Sequence, residues 1–524
     1  MIMEQSTQEF GKLRSFFWPV YSYELKKILP MFFMFFFINF NYTILRDAKD
    51  SIVVPATGAE TIPFLKFWGT IPAAIIFMII YAKLSNKLSK ERLFYTVMAP
   101  FVLFFPLFAF VLYPNKDAIH PHHFCDMIES VVPRLHGLIS IVRNWSFSLF
   151  YVIAELWGSA MISLLFWQFA NDITKVKDAK RLYPLFLIGA NIAMLFSGPL
   201  ITYLADLGMK VPTGVDPWQH SLNYLMTLAF VAGVLIMGLY YYMNRSVLTD
   251  SRFYDASEQK KMKKEKPKMS LMESFKYLGK SKYILCLAVL VVAYGISINI
   301  VEVTWKNQVC LQYPSSNEYM AFMGKFSFFT GLTTIFMLLF VSGNIIRRFG
   351  WGVAAIITPV VLAITGVLFF GFILFKDSPF LASMGAASVL LAAVILGAAQ
   401  NIMTKSAKYS LFDPTKEMAY IPLDQEMKVK GKAAIDVVGA RLGKSGGSLL
   451  QQALIIIVGF SAMTPYVGVI LLLITAGWMV SVKSLNKQFV EKSKQKDEEE
   501  ALEKAKEMAQ ATSKKPLEKA TASK

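Results

Sequence analysis

Twelve apolar segments divide this 524-residue chain, and four of them carry charge where hydrocarbon should exclude it. They lie at 28–45, 62–82, 93–113, 139–169, 183–204, 222–243, 283–305, 319–346, 352–375, 380–403, 433–459 and 464–482. A spanning helix needs about 20 apolar residues, and most of these runs reach that length. Among their Phe, Leu, Ile, Val and Trp residues stand Lys66, Glu155, Glu302 and Lys444. A charge at the bilayer centre costs about 2.5–3.5 kcal/mol on insertion scales. It persists only where it meets a watery cavity, a partner charge or a solute. Two acids and two bases buried this way predict an all-α membrane protein with a polar path for a charged solute. Span 11 has the weakest apolar signal, because Asp436, Arg441, Lys444 and several glycines dilute it.

Composition excludes an ordinary soluble domain. The chain is 55% hydrophobic and 17% charged, against about 45–50% and 25% in soluble proteins. A net charge of +18 would suggest nucleic acid as the partner of a soluble protein; here basic loops account for it, and no nucleic-acid partner is expected. With the N-terminus inside, the internal segments before the C-terminal tail hold 31 Lys and Arg and the external loops hold 7. The positive-inside rule then puts both termini in the cytoplasm. Residues 1–27 are polar and mixed in charge, without the pattern of a cleavable signal or an Arg/Ser-rich transit extension. Cys125, Cys286 and Cys310 have neither metal nor disulfide spacing.

A basic stretch separates two sets of six spans. The expected organisation is a cytoplasmic segment 1–27, a six-helix bundle 28–243, a basic linker 244–282, a second bundle 283–482 and a charged tail 483–524. That 6+6 layout is major-facilitator-like, a fold whose halves are parallel repeats. Weak internal symmetry agrees: GANIAMLFSG from Gly189 in span 5 matches GARLGKSGG from Gly439 in span 11, each after a basic loop. The tail is charge-dense and nearly free of aromatics, which predicts a solvated segment that is helical in part at most.

Each motif has a plainer reading beside the functional one. GKSGG (Gly443–Gly447) resembles part of a phosphate-binding loop, but Gly439 and Gly443 enclose three residues where four are needed, inside an apolar span. What remains is a glycine-rich helix offering Lys444 to an anion. Lys66 and Lys444 are the leading anion contacts. The alternative is an intramembrane ion pair with Glu155 or Glu302 that only holds helices together, and Lys66 could also snorkel outward. Glu155 and Glu302 are candidates for charge balance or proton carriage, with Glu302 open to an interfacial reading. LRDAKD (Leu45–Asp50), just past span 1, packs Arg46, Asp47, Lys49 and Asp50 into six residues: a solvated external loop or an outer gate of exchangeable salt bridges. Arg143 and Asn144, on the outer part of span 4, could extend a phosphate path. Lys405, Lys408, Lys428, Lys430 and Lys432 crowd the loop between spans 10 and 11: they would attract anions, or the positive-inside rule explains them without any substrate. HPHH (His120–His123) lacks supporting Cys or patterned acids, so no metal is expected. Trp157, Trp167 and Tyr294 could stack on a base, although packing is the default for each.

These same stretches carry a family resemblance. FFFINFNYTILRDAKD, IPFLKFW, YVIAELWGS, VVAYGISINIVEVTWK, SAKYSLFDPTKEMAYIPLD and KVKGKAAIDVV with LGKSGG resemble the signature stretches of the ATP/ADP translocase (nucleotide transporter) family of obligate intracellular bacteria and plastids. The resemblance runs from about residue 10 to 490, outside only the tail. It implies twelve spans and exchange of external ATP for internal ADP by alternating access, with no hydrolysis and no cofactor, in a bacterial inner membrane and as a monomer. The family's four functionally important charges match Lys66, Glu155, Glu302 and Lys444. Some members instead import nucleotides with protons, or carry NAD or guanine nucleotides, so a proton-coupled importer on the same fold is the alternative. A membrane-embedded enzyme would need a nucleophile, base or metal set near one face, and the sequence has none.

Overall fold

In hydrocarbon every backbone N–H and C=O must find its partner within its own segment, so apolar runs without breakers become helices. The computed structural model describes residues 20–521 except 175, 251–280, 384 and, between 424 and 438, all but 427, 431, 432 and 435. Those residues are all helical or connecting chain. Outside them lie most of the basic linker, the first 19 residues, Lys428, Lys430 and Asp436.

Among the described residues, ten helices are long and apolar enough to cross a membrane. They are α1 (Ser22–Thr57), α2 (Thr61–Lys87), α3 (Lys90–Leu112), α4 (Trp145–Ile173), α5 (Arg181–Gly208), α6 (Pro217–Val247), α7 (Lys282–Gln312), α8 (Ser316–Leu374), α9 (Ala386–Met418) and α11, whose apolar part is Thr464–Lys496. A shorter apolar helix, α10 (Ala440–Val458), precedes α11. Ile76, Leu103, Phe196, Phe340, Ile364 and Leu473 are each more than half exposed, as an outer surface bathed in lipid requires.

Three expectations need correction. Leu45–Asp50 is not a loop beyond span 1: helix continues unbroken to Thr57 and ends at Gly58, whose φ of 81° only glycine adopts freely. Asp47, Lys49 and Asp50 are fully buried in it, which is possible because they meet partner charges described below. Span 4 does not begin at 139. Asn144 (φ −113°, ψ 49°) separates α4 from a short helix His136–Arg143, so Arg143 lies outside the span. Spans 8 and 9 lie in α8 as two helices that meet at Gly350, where the backbone leaves helical geometry (φ 79°, ψ 179°). The tail is helical almost throughout, since α11 runs to Thr521. Its Glu, Lys and Ala residues are strong helix formers.

Small residues let the helices close on one another. Along α5 and α8, Gly198 and Gly324 face each other so tightly that a Cβ on either would stand 2.6 Å from the other's carbonyl oxygen. Thr202 Oγ1 donates to the Ala321 carbonyl beside them at 3.0 Å. A Cβ on Gly295 of α7 would likewise stand 2.9 Å from Gly443 Cα of α10. Against α2, Gln452 of α10 donates to the Pro63 carbonyl (3.0 Å) and accepts from Trp68 Nε1 (3.1 Å). Gly324→Ala is expected to cost about 1–3 kcal/mol, the range for overpacking, because backbone, not a flexible side chain, is in the way. Thermal melting in detergent checks this, and an unchanged midpoint would contradict it.

Candidate functional site

Six helices bring charges to one level of the interior. From α1, Arg46 Nε meets Asp47 Oδ1 at 3.1 Å, and Arg46 Nη2 donates to Ser327 Oγ of α8 at 2.7 Å. Ser327 in turn donates to Asp47 Oδ2 at 2.6 Å. One helical turn on, Lys49 Nζ lies 2.9 Å from Asp50 Oδ1 and 3.1 Å from Glu155 Oε1 of α4, over the Tyr151 ring at 4.0 Å. Asp50 Oδ2 takes a second cation from across the structure, Lys306 of α7, at 2.8 Å.

Glu302 is the hub of the other side. Its carboxylate lies 3.7 Å from Lys66 of α2, 3.5 Å from Lys306 and 3.3 Å from Lys405 of α9. Lys66 also donates to Asn299 Oδ1 at 2.6 Å, and the Asn299 amide donates to the Lys444 carbonyl at 2.9 Å and to Ser448 Oγ at 2.9 Å. Asn299 therefore ties α2, α7 and α10 together at the glycine-rich turn. The bare Gly447 permits this, since a Cβ there would stand 3.2 Å from the Asn299 side chain.

Exposure divides the cluster in two. Lys66, Glu155, Glu302 and Lys405 keep 15–28% of their side-chain surface open, whereas Lys49, Asp50 and Lys306 keep 1–3%. Lys444 is exposed, and its Nζ has no ion-pair or hydrogen-bond partner among the described residues. Its backbone reaches the cluster through the Asn299 amide that also takes Lys66. Among the described residues, six cations (Arg46, Lys49, Lys66, Lys306, Lys405, Lys444) face four carboxylates (Asp47, Asp50, Glu155, Glu302) at this level. The surplus is positive, and its accessible part is suited to an anion with several charges.

The other residues singled out from sequence lie elsewhere. Arg143 is held by Asp126 (2.5 Å) and Glu129 (2.5 Å), and Glu129 also binds His136 at 2.5 Å. That group belongs to the short helices between α3 and α4, apart from the central cluster. His120 bonds Ser146 Oγ at 2.7 Å, and no group of three or more potential metal ligands occurs among the described residues. Trp157 is completely buried and donates to the Ile38 carbonyl at 3.1 Å, so it is packing. Trp167 packs edge-on to Phe35 and Phe166. Tyr294 stacks on Phe412 with its centroid 5.7 Å from Lys408 Nζ. Tyr409, 45% exposed, lies 4.4 Å from the same ammonium. In the last turns of α9, Lys408 pairs with Asp413 (2.8 Å), and Lys432 beyond the helix pairs with Glu417.

Two cluster members escape a reading by segment. Lys306 counts as an external-loop residue and Lys405 as a basic-loop residue when apolar runs are delimited, yet both reach Glu302. The Glu302–Lys306 spacing of four was the available signal, since i and i+4 share a helix face.

A bundle of membrane helices with ion-paired charges gathered in its interior defines a transporter. The fold agrees: it matches the inward-open xylose transporter XylE from E. coli with a TM-score of 0.52 at 11% identity, over 89% of this chain and all of that one. The family follows from sequence. The model for the TLC ATP/ADP transporter family matches residues 3–489, and this chain belongs to that family. It is 57% identical over 500 residues to ADP,ATP carrier protein 1 of Chlamydia pneumoniae (94% of this chain, 97% of that one). It is 54% identical to the chloroplastic ADP,ATP carrier protein 1 of Arabidopsis thaliana (92% and 77%), and 44% identical to ADP,ATP carrier protein 1 of Rickettsia prowazekii (93% and 98%). The chain is thus a multi-pass membrane carrier, not an enzyme.

Proposed function

We propose that this protein exchanges external ATP for internal ADP by alternating access, as a monomer in a bacterial inner membrane. The observation that carries the reading is the Lys444 ammonium, without a partner among the described residues, beside a cluster with surplus positive charge, in a chain whose relatives are named ADP,ATP carriers. Lys444, Lys66 and Lys405 bind the phosphates, and Glu302 and Glu155 balance the lysines when no nucleotide is present. Tyr409, an exposed aromatic beside Lys408, offers a face to the base. Arg143, held by two acids on the short helices, contributes an outer salt bridge.

Twelve spans in a 6+6 arrangement account for the helices best. The break at Gly350 makes two spans of α8, and α10 supplies one more. The α5–α8 and α2–α10 contacts then join the two bundles, and the basic loops leave both termini cytoplasmic. Alternating access is the rocking of these bundles about the charged level. One ATP for one ADP moves about one net charge, worth roughly 2.3 kcal/mol per 100 mV, so gradients and membrane potential set the direction without hydrolysis.

Purified protein in liposomes tests the reading. Labelled ATP is expected to enter vesicles loaded with ADP and to stay out of empty ones, with no response to an imposed pH gradient. Uptake into empty vesicles driven by such a gradient would favour proton-coupled import, and no uptake would overturn the substrate.

A further inference from the structure

We propose that Asp50 and Lys306 form a buried latch that holds the two bundles together until a bound nucleotide releases it, and that this latch enforces obligatory exchange. The inference rests on the exchanger reading above and adds to it the residues that couple binding to movement.

Three observations carry it. The pair joins α1 to α7 at 2.8 Å, and both side chains are sealed, at 1% and 2% exposure. They are therefore out of reach of a substrate that could touch the more open Lys66, Glu155, Glu302 and Lys405. Second, Lys306 has two carboxylates to choose between: Asp50 at 2.8 Å and Glu302 at 3.5 Å. Glu302 is itself shared with Lys66 and Lys405. Third, Asp50 has a second cation of its own, Lys49 at 2.9 Å, which Glu155 also holds at 3.1 Å. Of the other charges near this level, Arg46 and Asp47 bind one another and Ser327, and the Lys444 ammonium has no partner among the described residues.

The arrangement is an exchange relay. Without nucleotide, Lys66 and Lys405 compensate Glu302, so Lys306 stays with Asp50 and the bundles stay joined. When phosphates draw Lys66 and Lys405 away, Glu302 is left with a single cation that it shares with Asp50, and for carboxylates this far from bulk water that shortage is costly. Lys306 then moves to Glu302, on its own helix, while Asp50 keeps Lys49. The link between α1 and α7 is broken with no charge left unpaired. Either nucleotide supplies phosphates, so either permits the switch, and the empty carrier does not.

Cys310 provides a native reporter. It lies one turn beyond Lys306 on α7, with its sulfur 3.7 Å from the Val54 carbonyl of α1, one turn beyond Asp50. Cys310 is part-exposed and parting of α1 from α7 uncovers it further, whereas Cys125 and Cys286, the latter near the other end of α7, are buried.

The experiment measures maleimide reaction at each cysteine by peptide mass spectrometry in nanodiscs, and ATP uptake into liposomes with and without internal ADP. In the unaltered protein Cys310 is expected to react slowly, and at least threefold faster with ADP. In Asp50→Asn it is expected to react at least tenfold faster without nucleotide, and uptake into empty liposomes should rise at least tenfold. Asp50→Asn/Lys306→Met removes both charges and leaves neither orphaned, so it guards against misfolding of the single variant and should behave alike. Both variants retaining slow Cys310 reaction and strict dependence on internal ADP would overturn the latch. Rapid reaction at Cys286 as well would mark general loosening and also count against it. Absence of ATP/ADP exchange in the unaltered protein would instead sink the exchanger reading, while the Cys310 comparison would still judge the latch.

Discussion

Glu302→Gln should lower ATP/ADP exchange by at least about 100-fold. Its carboxylate is the common partner of Lys66, Lys306 and Lys405, all within 3.7 Å. Neutralising it leaves three ammonium groups facing one another, one of them 2% exposed. Breaking a buried ion pair from one side costs about 3–5 kcal/mol, and each 1.4 kcal/mol is a factor of about ten. The lower bound alone therefore exceeds 100-fold if it falls on turnover. Part of the loss will fall on stability, so melting must be measured on the same preparation. Glu302→Asp keeps the charge but shortens the reach, and should recover part of the activity. Exchange by Glu302→Gln within twofold of the unaltered protein would remove Glu302 from the centre of the mechanism.

Lys444→Ala should behave differently. Lys444 has no ion-pair or hydrogen-bond partner for its Nζ among the described residues, so its removal breaks no internal pair and the melting temperature should hardly change. A hydrogen bond to a charged group contributes about 1.5–3 kcal/mol, which predicts a rise of roughly 10- to 150-fold in the apparent KM for ATP. Lys444→Arg should keep most of the affinity, since the guanidinium still presents charge and donors to a phosphate. An unchanged apparent KM in Lys444→Ala would show that the phosphates bind elsewhere. The contrast between the two variants is itself informative: one should lose affinity without stability, and the other turnover and stability together.

Much of the site was legible without coordinates. The cost of charge in hydrocarbon singled out Lys66, Glu155, Glu302 and Lys444, and the family resemblance picked the same four. All four belong to the central level. Segment boundaries were less legible, and that hid chemistry. Ending span 1 at 45 turned Asp47, Lys49 and Asp50 into loop residues, although helix and burial continue past them. Starting span 4 at 139 drew Arg143 towards the substrate path, although Asn144 breaks the chain between them. Hydropathy falls wherever charges cluster, whether water or a partner charge compensates them.

The sequence by itself determined that this protein is a bundle of membrane helices, which family it belongs to, and which apolar segments carry charge. Each of those is a property of a local stretch, because insertion cost, helix propensity and motif identity depend on residues near one another in the chain. Only the tertiary structure decided which charge meets which. Lys306 reaches Asp50 from 256 positions away, and Lys405 reaches Glu302 across 103. Those meetings depend on which faces of α1, α2, α7 and α9 oppose one another. The faces are set by close approaches such as Gly198 to Gly324 and Gly295 to Gly443, where the lack of a side chain lets two backbones touch and fixes the register of everything beside them.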